Sequence, residues 1–554
     1  DISAFDIIKE LKAIGLKKVV GVYDKKEQLD LGKYRNECEM FEREYLDEVQ
    51  TDLSKIHGVT AIVFIQTCAA EKRRRRKKGL FPNPKERVFI NPDVCEGCGD
   101  CGVESNCVAI LPLETALGRK RQIDQSACNK DFSCLQGFCP SFVTIDNAVP
   151  KKLKSTEIEI PELQEVQVPQ IDGTFNVVIT GVGGTGVVTV GALLAMASHL
   201  ESKGVGVMEM AGLAQKGGAV HIHCRIANKP ESISAIRVSL GEVNSLIGCE
   251  LSVSAGEKTL SLLRRGFSKG IISNQEANSG EFTRDPNFKI PTDGLKLAIN
   301  ARIGPDSVQY IDSQLIAERL MGDTIYANIV MLGASYQAGL LPLSAKALKQ
   351  AIVLNGANVD QNLKAFDIGR LWISDQGKIL QKISSFKGED VEQTEKFDDI
   401  LSDRYNRLLE YQNKSLADKY KKKCLEIKEL SEDIALSVAK SYFKLLAYKD
   451  EYEVARLHKS TLLKNISENF DKASNITFYL SPPIISHKGK DGKMKKKAFG
   501  SWMLTAFAIL SWLKFLRGTV FDIFGYSAER VAERELIQKY ESDLDRIKYE
   551  LKIE

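Results

Sequence analysis

The sequence predicts a multidomain α/β protein with a small cysteine-rich module, a doubly wound Rossmann-like domain and a mostly helical C-terminal domain. Three observations point there. Seven of the twelve cysteines fall between residues 95 and 139. A buried apolar strand at 175–180 runs into a glycine turn and then an apolar helix. Beyond Ile373 the composition becomes Lys/Glu-rich with helical spacing, as in "RYNRLLEYQNKSLADKYKKKCLEIKEL". A chain of 554 residues can hold roughly three or four domains, each with its own core. With 43% hydrophobic and 27% charged residues it has the composition of a soluble globular protein. A net charge of +4 is too small to imply nucleic acid as a partner. The longest apolar run, "WMLTAFAILSWLKFL" at 502–516, is short for a membrane span and carries Lys514, so no membrane partner is expected.

Residues 1–80 read as the end of an α/β domain. "AFDIIKELKAIG" has helical spacing and stops at Gly15, and "KKVVGVY" is a short buried strand. After a polar loop come the helix-like "YLDEVQTDLSKIHG" and the strand "VTAIVFIQT". That is half of a parallel sheet, too small to stand alone, and the chain begins at Asp1 already in helical sequence. A piece of a longer polypeptide is expected. "EKRRRRKKG" at 71–79 brings seven cationic side chains, read as a solvated connector, with a docking surface for an acidic partner or a phosphate clamp as alternatives.

The cysteine module is placed at 86–146. Clustered cysteines suit metal ligation in a reducing cytoplasm better than disulfides spread through an extracellular domain. In "VCEGCGDCGVESNC", Cys95, Cys98 and Cys101 keep the two-residue gaps of a bacterial ferredoxin, and Cys107 arrives two residues late. In "CNKDFSCLQGFCP", Cys128 and Cys134 have the outer spacing of a second triplet, Asp131 takes its centre, and Cys139 precedes Pro140. Two-cluster ferredoxins cross over, each half lending its last cysteine to the other cluster. On that logic Cys95, Cys98, Cys101 and Cys139 hold one [4Fe–4S] cluster. Cys107, Cys128 and Cys134, with Asp131, form a second site for a [4Fe–4S] or [3Fe–4S] cluster. Structural zinc matches poorly, since it favours two separated pairs of ligands.

Residues 147–172 mix proline and charge without a long periodic segment and read as a linker. The domain at 173–372 alternates strands and helices. Its turn satisfies G-x-G-x-x-G with Gly181, Gly183 and Gly186, and Gly184 beside them. Such a turn brings backbone amides and a helix N-terminus to where a phosphate binds. Glu209 ends the next strand, about where a dinucleotide fold places its ribose-binding acid. The alternative is that the glycines only allow close packing. In "AGLAQKGGAVHIHCRIA", Gln215–Gly218 reads as a loop. His221 and His223 share a strand face, as core or interface residues rather than metal ligands. The helical C-terminal domain takes 373–554.

Taken in order, these blocks resemble the fused indolepyruvate:ferredoxin oxidoreductases. The carriers are "GVTAIVFIQTCAAEKRRRRKKG", the seven-cysteine insert, "GVGGTGVVTVGALLA", "NIVMLGASYQAGLLPLSAKALKQAI" and "LKFLRGTVFDIFGYSAERVAERELI". These enzymes belong to the thiamine-diphosphate-dependent 2-oxoacid:ferredoxin oxidoreductases. The resemblance implies oxidative decarboxylation of an arylpyruvate to an acyl-coenzyme A, with single electrons passing through iron–sulfur clusters to ferredoxin. It makes residues 1–80 the tail of a thiamine-diphosphate domain and 173–372 a gamma-type domain. It also implies a homodimer, and a glycine turn that contributes to coenzyme A or subunit contacts. The G-D-G motif that holds thiamine diphosphate and magnesium appears nowhere in the sequence. The missing thiamine half is therefore expected as a partner, in the same chain or as a separate subunit, and the chain alone is expected to be inactive. Two other readings use the same modules: an NAD(P)- or flavin-linked iron–sulfur reductase, and a non-catalytic electron-relay subunit. The basic stretch "HKGKDGKMKKKAFGSW" is a further candidate for docking an acidic ferredoxin.

Overall fold

The structure is a computed structural model that describes residues 2–27, 29–107, 109–151, 158–211, 218–276, 282, 285–384, 396–482 and 496–551. The chain divides into two units, Asp1–Pro84 and Lys85–Glu554. In the first, the helix Ala4–Ala13 starts in a capping box: Ser3 accepts from the Asp6 amide and the Asp6 carboxylate takes the Ser3 amide. Strands β1 (Lys18–Tyr23), β2 (Glu39–Glu42) and β3 (Thr60–Ile65) form a parallel sheet in the order β2-β1-β3. The extra strand β2 comes from the stretch read as polar loop. Gly21 admits it, because a Cβ there would stand 2.3 Å from the Met40 sulfur.

The cationic run is a helix, Ala69–Lys77, rather than a loose connector. Lys72 pairs with Glu27 at 2.6 Å and Arg75 with Glu71 at 2.9 Å. Arg76 donates to the Pro82 carbonyl at 2.9 Å and lies over the Phe81 ring. Lys72 thus finds its carboxylate outside the run and Arg75 finds one within it.

The second unit begins with the cysteine module. Its strands are β4 (Arg87–Ile90), β5 (Ile110–Leu113), β6 (Lys120–Ile123), β7 (Phe142–Ile145) and the short β8 (Val149–Pro150). β5 and β6 pair as an antiparallel hairpin, and β4 pairs antiparallel with β7. The following domain carries β9 (Thr174–Val182), β10 (Gly204–Ala211), β11 (Ala219–Ala227), β12 (Ser245–Gly248), β13 (Lys269–Ser273) and β14 (Val308–Ile311). Their order is β10-β11-β9-β12-β13-β14. Strands β9, β12, β13 and β14 are parallel, whereas β11 runs antiparallel to both neighbours. The sheet is therefore mixed, not the wholly parallel one of a doubly wound fold. Behind it the helices Ala327–Gln337 and Val359–Ser374 touch through glycine: a Cβ on Gly333 would stand 1.9 Å from the Phe366 carbonyl oxygen, and one on Gly369 2.0 Å from that of Val330.

The region after 373 was expected to stand apart, and it does not. Its β15 (Phe470–Lys472) pairs with β8, while β16 (Ile476–Leu480) and β17 (Lys497–Phe499) extend the cysteine module's sheet in the order β17-β16-β7-β4. Most of the other described residues of this region are helical, with Asn413, Ser431 and Asp450 capping successive helices. Among the described residues no helix is long and apolar enough to cross a membrane.

His458 sits at the join. Its ring stacks on Phe507 with centroids 5.3 Å apart, and its Nε2–H donates to the Pro140 carbonyl at 3.0 Å. Burial pushes its pKa from 6.5 down to about 4. The fold thus favours the neutral ring, so this contribution to stability is complete above pH 6.5 and is lost as pH falls toward about 4. Urea midpoints measured across that window are expected to fall more steeply for the wild type than for His458→Phe. Parallel slopes would remove His458 from the acid response.

Candidate metal centre and glycine loop

The first cysteine loop hangs from buried Asn91. Its amide donates to the Ser141 carbonyl at 2.9 Å, and its own carbonyl takes the amides of Val94 and Cys95. Gly97 and Gly99 then adopt left-handed φ values of 72° and 85°. Only glycine suits position 97, since a Cβ would lie 2.1 Å from the Arg119 carbonyl oxygen. This bend returns the Gly97 amide to the Cys95 sulfur at 3.3 Å. The helix Asp100–Ser105 follows, and the Asp100 carboxylate takes the Phe138 amide at 3.0 Å, drawing in the loop that bears Cys139.

Cys95, Cys101 and Cys139 are buried, and Cys98 is exposed. Burial pushes the Cys101 thiol up to about 12, helped by the charges of Cys139, Cys95 and Cys98. Burial likewise raises Cys139, although a Ser141 hydroxyl 3.0 Å from its sulfur works the other way. Around Cys134 the company changes. Burial raises it first, then the charges of Cys128, Cys107 and Asp131, with Cys101 behind them. Cys134 is buried, and Cys107 and Cys128 are half-buried. The Lys130 amide points at the Cys128 sulfur at 3.4 Å. Asp131 is exposed, and one of its carboxylate oxygens takes the amide and hydroxyl of Ser133, at 3.2 and 3.1 Å.

The structure therefore brings Cys95, Cys98, Cys101 and Cys139 into mutual electrostatic range, and gathers Cys107, Cys128 and Asp131 about Cys134. Among the described residues no three His, Cys, Asp or Glu side chains close on a single metal ion. Each thiolate on an iron–sulfur cubane binds a different iron, so a cluster needs its sulfurs spread out rather than converging on one centre. Cys101, Cys134 and Cys139 resist ionisation first through burial and then through neighbouring cysteine charges, and peptide amides point at the sulfurs of Cys95 and Cys128. Such a set of donors suits a polynuclear group whose irons neutralise the thiolates.

Cations also surround the first set. Arg121, buried, bonds the Pro286 carbonyl at 2.9 Å, lies over the Phe282 ring and interacts with Cys101, Cys95 and Cys98. Buried Lys120 interacts with Cys95. Sequence reasoning missed two others. Lys449 donates to the Cys95 carbonyl at 3.2 Å, and Lys496 to that of Cys139 at 2.6 Å, from more than 350 positions along the chain. The only trace was the basic stretch at 487–502, most of which lies outside the described residues.

At the glycine turn, Gly181 is the penultimate residue of β9, buried where a Cβ would meet Val187 at 2.5 Å. The Gly183 amide donates to the Gly218 carbonyl at 2.8 Å. Gly184 and Gly186 have φ values of 88° and 92°, and Gly186 opens the helix Val187–Leu200. Gly184, Thr185 and Gly186 are exposed, and Asn328 fixes the turn by donating to the Thr185 carbonyl at 2.8 Å. Glu209 stands opposite Ile222 of β11, so a whole strand separates it from β9. A dinucleotide fold places its ribose acid on the adjacent parallel strand, so the pairing does not favour the NAD reading. His221 and His223 are core residues: His223 Nδ1 accepts from the Val238 amide at 2.9 Å, and His221 lies 3.2 Å from the Thr259 hydroxyl. Residues 215–217 of the loop before them lie outside the described residues.

Residues 176–372 match the pyruvate ferredoxin/flavodoxin oxidoreductase family, and residues 397–553 match a family of unknown function, DUF6537. The chain is 29% identical over 220 residues to an indolepyruvate oxidoreductase subunit IorB of Pyrococcus horikoshii, a match covering 35% of this chain and 94% of that subunit. The IorB subunit of Thermococcus kodakarensis is 27% identical over 202 residues, with 35% and 94% covered. Among solved structures, the gamma subunit of a keto/oxoacid ferredoxin oxidoreductase from Geobacter sulfurreducens PCA is similar at 19% identity and a TM-score of 0.25, covering 36% of this chain and 98% of that one.

Proposed function

Because the chain resembles the indolepyruvate:ferredoxin oxidoreductases, we propose that it is the electron-relay and gamma-type part of such an enzyme, acting on an arylpyruvate. The observation that carries this reading is the pair of four-residue sets, Cys95/Cys98/Cys101/Cys139 and Cys107/Cys128/Cys134/Asp131, held in one unit with a domain of the oxidoreductase family. The reaction converts a 2-oxoacid anion and the coenzyme A thiol to an acyl thioester, carbon dioxide, a proton and two electrons. The electrons leave singly for ferredoxin. Bound iron–sulfur clusters would supply the one-electron steps, and thiamine diphosphate the electron sink for decarboxylation.

This chain's own residues hold and insulate. The Cys95, Cys101 and Cys139 sulfurs are shielded from water, while Cys98 is open to solvent, which suits an exit toward an external carrier. No step through thiamine diphosphate is assigned to these residues, since its binding motif is missing. That half of the enzyme, a homodimeric assembly and ferredoxin are the proposed partners.

An iron and sulfide count with electron paramagnetic resonance on anaerobically purified protein tests the reading. About seven or eight irons per chain mean both sites are filled, and about four mean one is. Absence of iron and sulfide would sink it. The chain alone, given thiamine diphosphate, magnesium, coenzyme A and indolepyruvate, is expected to leave ferredoxin oxidised.

The exposed glycine turn is proposed to contribute to the coenzyme A site. In the complete enzyme Gly183→Val is expected to raise the KM for coenzyme A several-fold. An unchanged KM in folded enzyme would leave the glycines a packing role only.

A further inference from the structure

The region matched by the family of unknown function reaches the cysteine loops by two amines. Lys496 enters just ahead of β17, which is paired through β16 to β7, so its backbone belongs to the cysteine module's own sheet. Its ammonium bonds the Cys139 carbonyl at 2.6 Å and stands 5.6 Å from the centroid of the Phe142 ring. Lys449 bonds the Cys95 carbonyl at 3.2 Å and pairs with Glu96 at 2.6 Å, with only 14% of its side chain exposed. The next residue, Asp450, caps the helix Glu451–Asn469 and is locked by Arg517 through two bonds of 2.5 and 2.8 Å. Both amines are thus placed by rigid surroundings rather than by a surface tether.

The two sets of candidate ligands differ in their surroundings. Beside Cys95, Cys98, Cys101 and Cys139 stand Lys120, Arg121, Lys449 and Lys496, and Lys496 also interacts with the Asp100 carboxylate and with Cys134 of the second set. Among Cys107, Cys128 and Cys134 stands the Asp131 carboxylate, with Arg87 as the cation near Cys128. Reduction adds one negative charge to a cluster. A fixed ammonium in a partly buried setting favours that charge more strongly than the same ammonium in water, and a carboxylate opposes it.

We propose that the region 397–553 is a redox-tuning component of the electron relay. Through Lys449 and Lys496 it raises the reduction potential of the cluster at Cys95, Cys98, Cys101 and Cys139 above that of the cluster at Cys107, Cys128, Cys134 and Asp131. The inference rests on the iron–sulfur reading above. Lys449 shares its charge with Glu96, so Lys496 carries the larger part.

The test is a potentiometric titration followed by electron paramagnetic resonance on the anaerobic full chain, comparing wild type, Lys496→Met, Lys496→Arg and Lys449→Met. Lys496→Met is expected to disfavour reduction of one cluster by about tenfold, equivalent to ~59 mV for one electron. The other cluster should shift by clearly less, since Lys496 bonds the Cys139 carbonyl and reaches the second set only through its charge on Cys134, and Lys496→Arg should restore most of the shift. Lys449→Met should shift the same cluster in the same direction by less. Unmoved midpoints in Lys496→Met with full iron content overturn the inference while leaving the cluster reading intact. Wild-type protein without iron or signal overturns the cluster reading, and this inference with it. Should Lys496→Met fail to retain iron, Lys449→Met decides by the same criterion.

Discussion

Replacing Cys139 by alanine is expected to cost the protein about four irons, half of what two filled cubanes would hold. Cys139 is the one member of the first set that comes from the second cysteine segment, and it is buried against Cys95 and Cys101. Its loop is drawn in by Asp100 and held by Lys496. Without its sulfur, three thiols on a single loop would have to keep the cluster alone. The companion change Asp131→Ala should be far milder, costing about one iron. Asp131 is exposed, and one of its oxygens is already engaged by Ser133. Iron and sulfide counts on the two variants read the difference directly. Equal losses would show that the two sets do not divide as proposed, and no loss in Cys139→Ala would remove it from the ligand set.

Arg517→Ala is expected to destabilise the second unit by about 3–5 kcal/mol, the usual cost of leaving one member of a buried ion pair without its partner. Arg517 and Asp450 are each only 4% exposed. The guanidinium also donates to the Tyr411 carbonyl at 2.8 Å and lies 3.8 Å from the centroid of the Tyr411 ring. Truncation therefore strands a carboxylate, frees a carbonyl and removes a stacked plane. Urea denaturation followed by tryptophan fluorescence measures the loss. Joint replacement of Arg517 by Met and Asp450 by Leu should recover part of it, since no charge is then left unpaired. A double variant no better than Arg517→Ala would place the energy in packing against Tyr411 instead of in the charge pair.

Local pattern carried much of what was legible in the sequence. The strand, glycine turn and helix at 175–200 could be read because both elements are apolar almost throughout and the turn between them needs glycine. The cysteine spacings suggested two sets because a loop wrapped round a group leaves its period in the sequence. What escaped were partners distant along the chain. Periodicity gives a strand's faces but not its neighbours, so nothing in "AVHIHCRIA" showed that β11 would run antiparallel and part Glu209 from β9. "ITFYL" and "KAF" are too short to announce that they complete a sheet begun at Arg87. The pairing of Lys72 could not be read from the cationic run because its partner Glu27 lies far upstream. Lys496 looked like one basic residue among many, and only tertiary structure singles it out.

The sheet β17-β16-β7-β4 also imposes a schedule on biosynthesis. Lys496 lies 357 positions after Cys139. At about 5–20 residues per second, Cys139 leaves the ribosome roughly 20–70 s before Lys496 is made. Throughout that interval β7 lacks β16 on one edge, and the thiols wait in a half-built cradle. Contacts of such long sequence separation form late and slowly. Completion of the proposed cluster site therefore waits on residues made long after its cysteines, and a messenger cut short before Ile476 would yield a nascent chain with all seven clustered cysteines and without the strand that extends their sheet.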